Sequence, residues 1–137
     1  MNEDTRGEVV INNESDIIVV RKKVREAATL LNFSLTDVTR IVTAASELAR
    51  NVFLYAGSGV MKWQTLKSSN TVGIMLSFKD SGPGITDLEL VMNDGYSTSR
   101  GLGLGLPGSR RLMDDMEITS QVGKGTTIVV KKWRRCY

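Results

Sequence analysis

Residues 72–84 run Val72-Gly73-Ile74-Met75-Leu76-Ser77-Phe78-Lys79-Asp80-Ser81-Gly82-Pro83-Gly84. Strand alternation over the first nine positions puts Ile74, Leu76, Phe78 and Asp80 on one face. Asp80 thus follows three apolar side chains toward the core. A carboxylate there needs a hydrogen-bond donor, since burial without one is costly. An adenine amino group is such a donor, and Gly82 and Gly84 would let the backbone approach a flat ring. An Asp-initiated turn after a strand fits the same residues equally well.

Working outward, Val60 to Leu66 reads as the other strand of a hairpin turning at Lys67-Ser68-Ser69-Asn70. Upstream, Ser34-Leu35-Thr36-Asp37 resembles a capping box that opens a helix running to about Tyr55. Val38, Ile41, Ala45, Leu48 and Val52 recur on it at three- and four-residue spacing, so this stripe faces the core. Gly57-Ser58-Gly59 ends it. Arg21 to Leu31 reads as an earlier helix. Glu8–Ile11 and Ile17–Val20, around a polar turn, read as a strand pair or as a strand and a helix lead-in.

Downstream, Asp87 to Met92 reads as a short helical piece, and Asn93 to Gly105 as a polar glycine-rich loop. Pro107 to Met113 is a helix with proline in its first turn. Met116–Val122 and Thr126–Trp133 form a second hairpin. This order predicts an α+β fold: a two-layer sandwich with a mixed, mainly antiparallel sheet and helices on one face. With 137 residues and no repeat or linker, a single domain over residues 1–137 is expected.

Composition narrows the chemistry. The chain has no histidine, which removes imidazole bases, Cys/His zinc sites and a Ser-His-Asp triad. Its one cysteine, Cys136, forms no internal disulfide, so a reducing, cytoplasmic setting is expected. Met1 to Val10 lacks the pattern of a signal peptide, and no run approaches a membrane span. Net charge is +3, partly from the tail Lys131-Lys132-Trp133-Arg134-Arg135. That short run reads as a solvated strand end before it reads as a nucleic-acid contact.

Three further constellations carry possible chemistry. Glu47 and Asn51 lie four apart on the long helix, hence on one side of it, at the margin of the buried stripe. An acid and an amide there suit a metal-bound water and a polar substrate; taken alone, they fit an ordinary boundary pair better. Gly101-x-Gly103-x-Gly105 precedes a helix, where freed N–H groups can face phosphate oxygens. Gly103 to Gly108 also fits G-x-G-x-x-G, a weak match to a Rossmann fingerprint because the preceding Asn93 to Arg100 is polar loop, and Gly123-Lys124 lacks the earlier glycine of a P-loop. Gly123-x-Gly125-Thr126 is explained by a hairpin turn alone.

Together, in this order and spacing, these features resemble the four boxes of the GHKL (Bergerat-fold) ATPase and kinase family, which includes gyrase B, the Hsp90 chaperones, MutL and sensor histidine kinases. The resemblance spans about Thr36 to Trp133. It implies ATP and Mg2+ as ligands. It further implies that Asn51 holds the magnesium, Glu47 polarises the attacking group and Asp80 accepts from the adenine amino group. Gly82 and Gly84 would bound the adenine pocket, and Gly101, Gly103 and Gly105 would fold round the phosphates. Thr126 would reach the Asp80 side of the pocket. Arg100, at the lid's end, is placed at the terminal phosphate by its position and not by the resemblance.

The segment from Ile85 to Arg100 is a short lid, and no histidine-bearing dimerisation helix is present. With Glu47 able to accept a hydroxyl proton, the chain is most similar to the anti-sigma-factor branch of serine kinases, including its switch kinases of bacterial stress signalling. That likeness implies phosphorylation of Ser/Thr on STAS-domain scaffold or antagonist proteins, followed by activation of a PP2C-type phosphatase. Two alternatives share the fold: a kinase that also sequesters a sigma subunit, and a nucleotide-bound binding module whose kinase activity is secondary. Neither a nucleic-acid nor a membrane partner is expected, and the sequence sets no oligomeric state.

Overall fold

The computed structural model describes residues 6–84 and 105–134. Its elements are β1 (Arg6–Ile11), α1 (Asp16–Leu30), α2 (Leu35–Ala56), β2 (Gly59–Lys67), β3 (Val72–Asp80), α3 (Gly105–Leu112), β4 (Asp115–Gln121) and β5 (Gly125–Trp133). The strands lie in the order β1-β2-β3-β5-β4, and every neighbouring pair among them is antiparallel. The lid segment, with the helix expected at Asp87–Met92, lies outside the described residues.

One sheet face carries the core. Val9, Ile11, Met61, Ile74, Leu76, Phe78, Ile128 and Val130 point from it toward the helices and are buried. Lys62, Gln64, Lys79 and Glu117 alternate with them and are exposed on the opposite face. The α2 stripe of Val38, Ile41, Ala45, Leu48 and Val52 is fully or almost fully buried. The α+β sandwich with a helical layer on one face is therefore the fold observed.

Ile17–Val20 belong to α1, which starts five residues before the expected Arg21. Its burial follows helical spacing through Ile17, Val20, Val24 and Ala28. The Asp16 carboxylate accepts from the N–H groups of Asn12 at 2.8 Å and Asn13 at 3.1 Å, closing the turn out of β1. Packing against α2 overrides the strand preference of four β-branched residues.

The cap of α2 is one-sided. Ser34 Oγ accepts from the Asp37 N–H at 3.1 Å. The Asp37 carboxylate does not close a box back onto the cap. It instead takes Arg40 at 2.9 Å and lies 4.0 Å from the Lys132 ammonium.

The basic tail is not simply a solvated strand end. Lys132 is buried on the core face of β5 and donates to the Leu112 carbonyl at 2.9 Å, at the end of α3. Asp114 lies 3.7 Å from the same ammonium. Arg134 donates to the Leu31 carbonyl at 3.0 Å, past the end of α1. Two of the tail's cations thus tie the sheet to the helical layer.

Candidate functional site

Asp80 is the last residue of β3 and continues the buried row of Ile74, Leu76 and Phe78. Its Oδ1 accepts from the Gly82 N–H at 2.9 Å and from the Thr126 N–H at 3.3 Å. Both bonds reach the same oxygen. They fix the carboxylate's orientation, and among the described residues no protein donor bonds Oδ2. The turn and the purine-binding readings of Asp80 are therefore compatible, one for each oxygen.

The strand crossing beside Asp80 depends on Gly125. A Cβ there would fall 2.1 Å from the Asp80 carbonyl oxygen, and φ is +113°. Gly84 has φ +80°, and a Cβ on it would fall 2.4 Å from the Gln121 carbonyl oxygen. Gly82 sits against Ala56, whose Cβ would be 2.7 Å from an added one. The protein itself occupies the space that side chains at Gly82 and Gly84 would need, and of the two only Gly84 lines the cleft.

That cleft, about 510 Å³ counted to its open mouth, lies between α2 and the sheet. Its apolar lining is Leu48, Val52, Phe78, Leu106 and Ile128, with Asn51, Asp80 and Thr126 as polar groups. Apolar walls with a few convergent polar atoms are the usual make-up of a small-molecule site. Leu48, Asn51, Val52 and Tyr55 reach it together because three- and four-residue spacing gathers them on one side of α2.

Of the sequence-predicted residues, the fold brings Asn51, Asp80, Gly84 and Thr126 into one cleft. Thr126 meets Asp80 through its backbone N–H, while its hydroxyl lies 2.9 Å from the Ser120 hydroxyl. Ser120 was not singled out from sequence; pairing the last hairpin around its turn places it opposite Thr126. Gly105 opens α3, whose next residue, Leu106, lines the cleft. Arg100, Gly101 and Gly103 lie outside the described residues.

Glu47 is half-buried one helical turn before Asn51 and, among the described residues, lines a groove between α1 and α2; the described lining of the cleft does not include it. The two candidate polar groups of α2 thus serve adjacent depressions.

The residues present fit a purine nucleotide. The cleft is apolar enough for a flat ring, and Asp80 Oδ2 is an acceptor without a protein donor among the described residues. No group of three or more His, Cys, Asp or Glu side chains among the described residues forms a metal cage. The amide oxygen of Asn51 suits magnesium of the kind held by one protein ligand plus phosphates and water. No helix among the described residues is long and apolar enough to cross a membrane.

Residues 36–135 match the family model described as histidine kinase-, DNA gyrase B-, and HSP90-like ATPase. The serine/threonine-protein kinase RsbT of Bacillus subtilis is 46% identical over 127 residues, covering 93% of this chain and 96% of that protein. The anti-sigma F factor of Thermoanaerobacter sp. (strain X514) is 28% identical over 119 residues, 82% of each chain. Among solved structures, the mycobacterial sensor histidine kinase MprB superposes with a TM-score of 0.57 at 19% identity, covering 96% of this chain and 99% of that one; this likeness concerns the fold alone. The chain belongs to the histidine kinase-, DNA gyrase B- and HSP90-like ATPase family, the GHKL family.

Proposed function

We propose that this chain is a cytoplasmic partner-switching kinase that transfers the γ-phosphoryl group of ATP to Ser or Thr of STAS-domain proteins and then engages a PP2C-type phosphatase. It is a serine/threonine-protein kinase of the GHKL family, as its 46% identity to RsbT supports. The observation that carries the nucleotide reading is Asp80, one oxygen bound by two backbone N–H groups and the other directed to no protein donor among the described residues, beside an apolar cleft.

In this reading Asp80 Oδ2 accepts from the purine amino group, while Leu48, Val52, Phe78 and Ile128 exclude water from the ring. Asn51 would hold magnesium, which would supply charge neutralisation at the phosphates. Glu47 takes the proton of the incoming hydroxyl as its oxygen bonds to the γ-phosphorus and the bond to the bridging oxygen breaks. Such transfer needs positioning and electrostatics more than covalent chemistry. Gly101, Gly103 and Gly105 would line the phosphate path, with Arg100 at the terminal phosphate.

The test is transfer of label from γ-labelled ATP to candidate STAS proteins, with and without magnesium. Glu47→Ala is expected to keep nucleotide binding and lose transfer. Transfer at the normal rate by that variant would remove the base role. Absence of nucleotide binding by the unmodified chain would remove the site itself. A second reading, sequestration of a sigma subunit, is favoured by the likeness to anti-sigma F factors. Direct capture of a sigma subunit by the purified chain would support it.

A further inference from the structure

The α1–α2 groove is absorbed by neither the fold nor the nucleotide site. It measures about 550 Å³ counted to open solvent and includes Arg21, Arg25, Thr39, Thr43, Ser46 and Glu47 in its lining. Arg21 and Arg25 are four apart on α1, so both lie on one flank of that helix, and both line the groove beside α2. Both are exposed, and neither is in an ion pair among the described residues. Arg40, by contrast, is held by Asp37. The groove's α2 wall adds hydroxyl groups, and its last lining residue along that helix is Glu47, one turn from Asn51 in the cleft.

We infer that this groove docks an acidic segment of the protein substrate, with its carboxylates on Arg21 and Arg25, and so selects which hydroxyl reaches Glu47. The inference rests on the kinase reading above. A hydroxyl delivered to Glu47 must come within about 3 Å of the carboxylate, and because Glu47 lines the groove, polypeptide flanking that hydroxyl can lie along it. At about 3.3 Å per extended residue, side chains roughly two to four positions from the acceptor pass over α1. Arginine is the side chain suited to grip carboxylates there, through paired N–H donors. Without it, Glu47 would repel an acidic segment. The two arginines reverse that local sign and turn a general feature of an acid-lined site into a selective one.

The experiment uses the full chain and three fluorescent single-serine peptides whose flanks are glutamate-rich, neutral or lysine-rich. Binding is read by anisotropy at low and high salt, with Mg-ATP analogue binding measured by calorimetry on the same preparations. The glutamate-rich peptide is expected to bind at least about tenfold more tightly than the lysine-rich one, and less so at high salt. Arg21→Glu/Arg25→Glu should abolish that preference with nucleotide binding unchanged. Lys22→Glu/Lys23→Glu changes net charge equally on other flanks of α1 and should reduce it less than about threefold. Equal losses in both double variants would reduce the effect to net charge and overturn the inference, as would no preference in the unmodified chain. An oligonucleotide displacing the acidic peptide at equal charge would overturn it too. Failure of nucleotide binding in the unmodified chain would instead strike the kinase reading, so the two failures are distinct.

Discussion

Asp80 Oδ1 accepts a hydrogen bond from the N–H of Thr126 at 3.3 Å, joining the end of β3 to the start of β5 across forty-six residues of sequence. The same oxygen takes the Gly82 N–H at 2.9 Å. The carboxylate is thus oriented by main chain on one side, which leaves its chemistry to the other oxygen.

Asp80→Asn keeps an Oδ1 acceptor for both N–H groups but presents an amide N–H2 where the second carboxylate oxygen stood. A purine amino group then meets a donor. Loss of a hydrogen bond to a charged group costs about 1.5–3 kcal/mol, so nucleotide affinity should fall about 10- to 150-fold by calorimetry. The nucleotide-free melting temperature should move by less than about 5 °C, since the main-chain bonds persist.

Gly125 and Gly123 form a matched pair for steric strain. Both have positive φ, but a Cβ on Gly125 meets the Asp80 carbonyl at 2.1 Å, whereas one on Gly123 meets nothing within 4 Å. Gly123→Ala should cost about 1 kcal/mol in urea unfolding, from backbone conformation alone. Gly125→Ala should cost about 3 kcal/mol or more and weaken nucleotide binding, because β5 must move away from Asp80.

Lys132→Met removes the donor to the Leu112 carbonyl and the cation between Asp37 and Asp114. Asp37 retains Arg40 and Asp114 retains the Trp133 N–H, which limits the loss. About 2–3 kcal/mol is expected, below the usual range for breaking a buried pair outright. Adding Asp37→Asn should cost less than the sum of the single changes by about 0.5 kcal/mol or more, measured in a double-mutant cycle.

Ser34→Ala leaves the Asp37 N–H without its 3.1 Å cap. The expected cost is about 1 kcal/mol by chemical denaturation. Nucleotide affinity should be unchanged, because the cleft is lined by α2 residues from Leu48 onward.

Much of the architecture was written in local pattern. The α2 stripe, the two hairpins and the arrival of Asp80 on the core face all follow from periods of about 3.6 and 2 residues, which a linear chain displays openly. The same periods put Glu47 and Asn51 at the margin of the buried stripe, but do not by themselves separate a ligand-binding group from an ordinary boundary residue. For Ile17–Val20 the strand and helix-lead-in readings stay open, because their composition is strand-like; contact with α2 settles the helix.

What the sequence determined by itself is therefore the set of elements, the face each residue takes, and the membership of Asn51, Asp80 and Thr126 in a family pattern. What the tertiary structure decided is how those faces meet. It set Glu47 in a groove with Arg21 and Arg25, turned Lys132 inward onto the end of α3, and bound one oxygen of Asp80 to the backbone while no donor among the described residues bonds the other. The reason is that periodicity fixes an azimuth about one axis, whereas register between strands and the separation of packed helices depend on residues far apart in the chain.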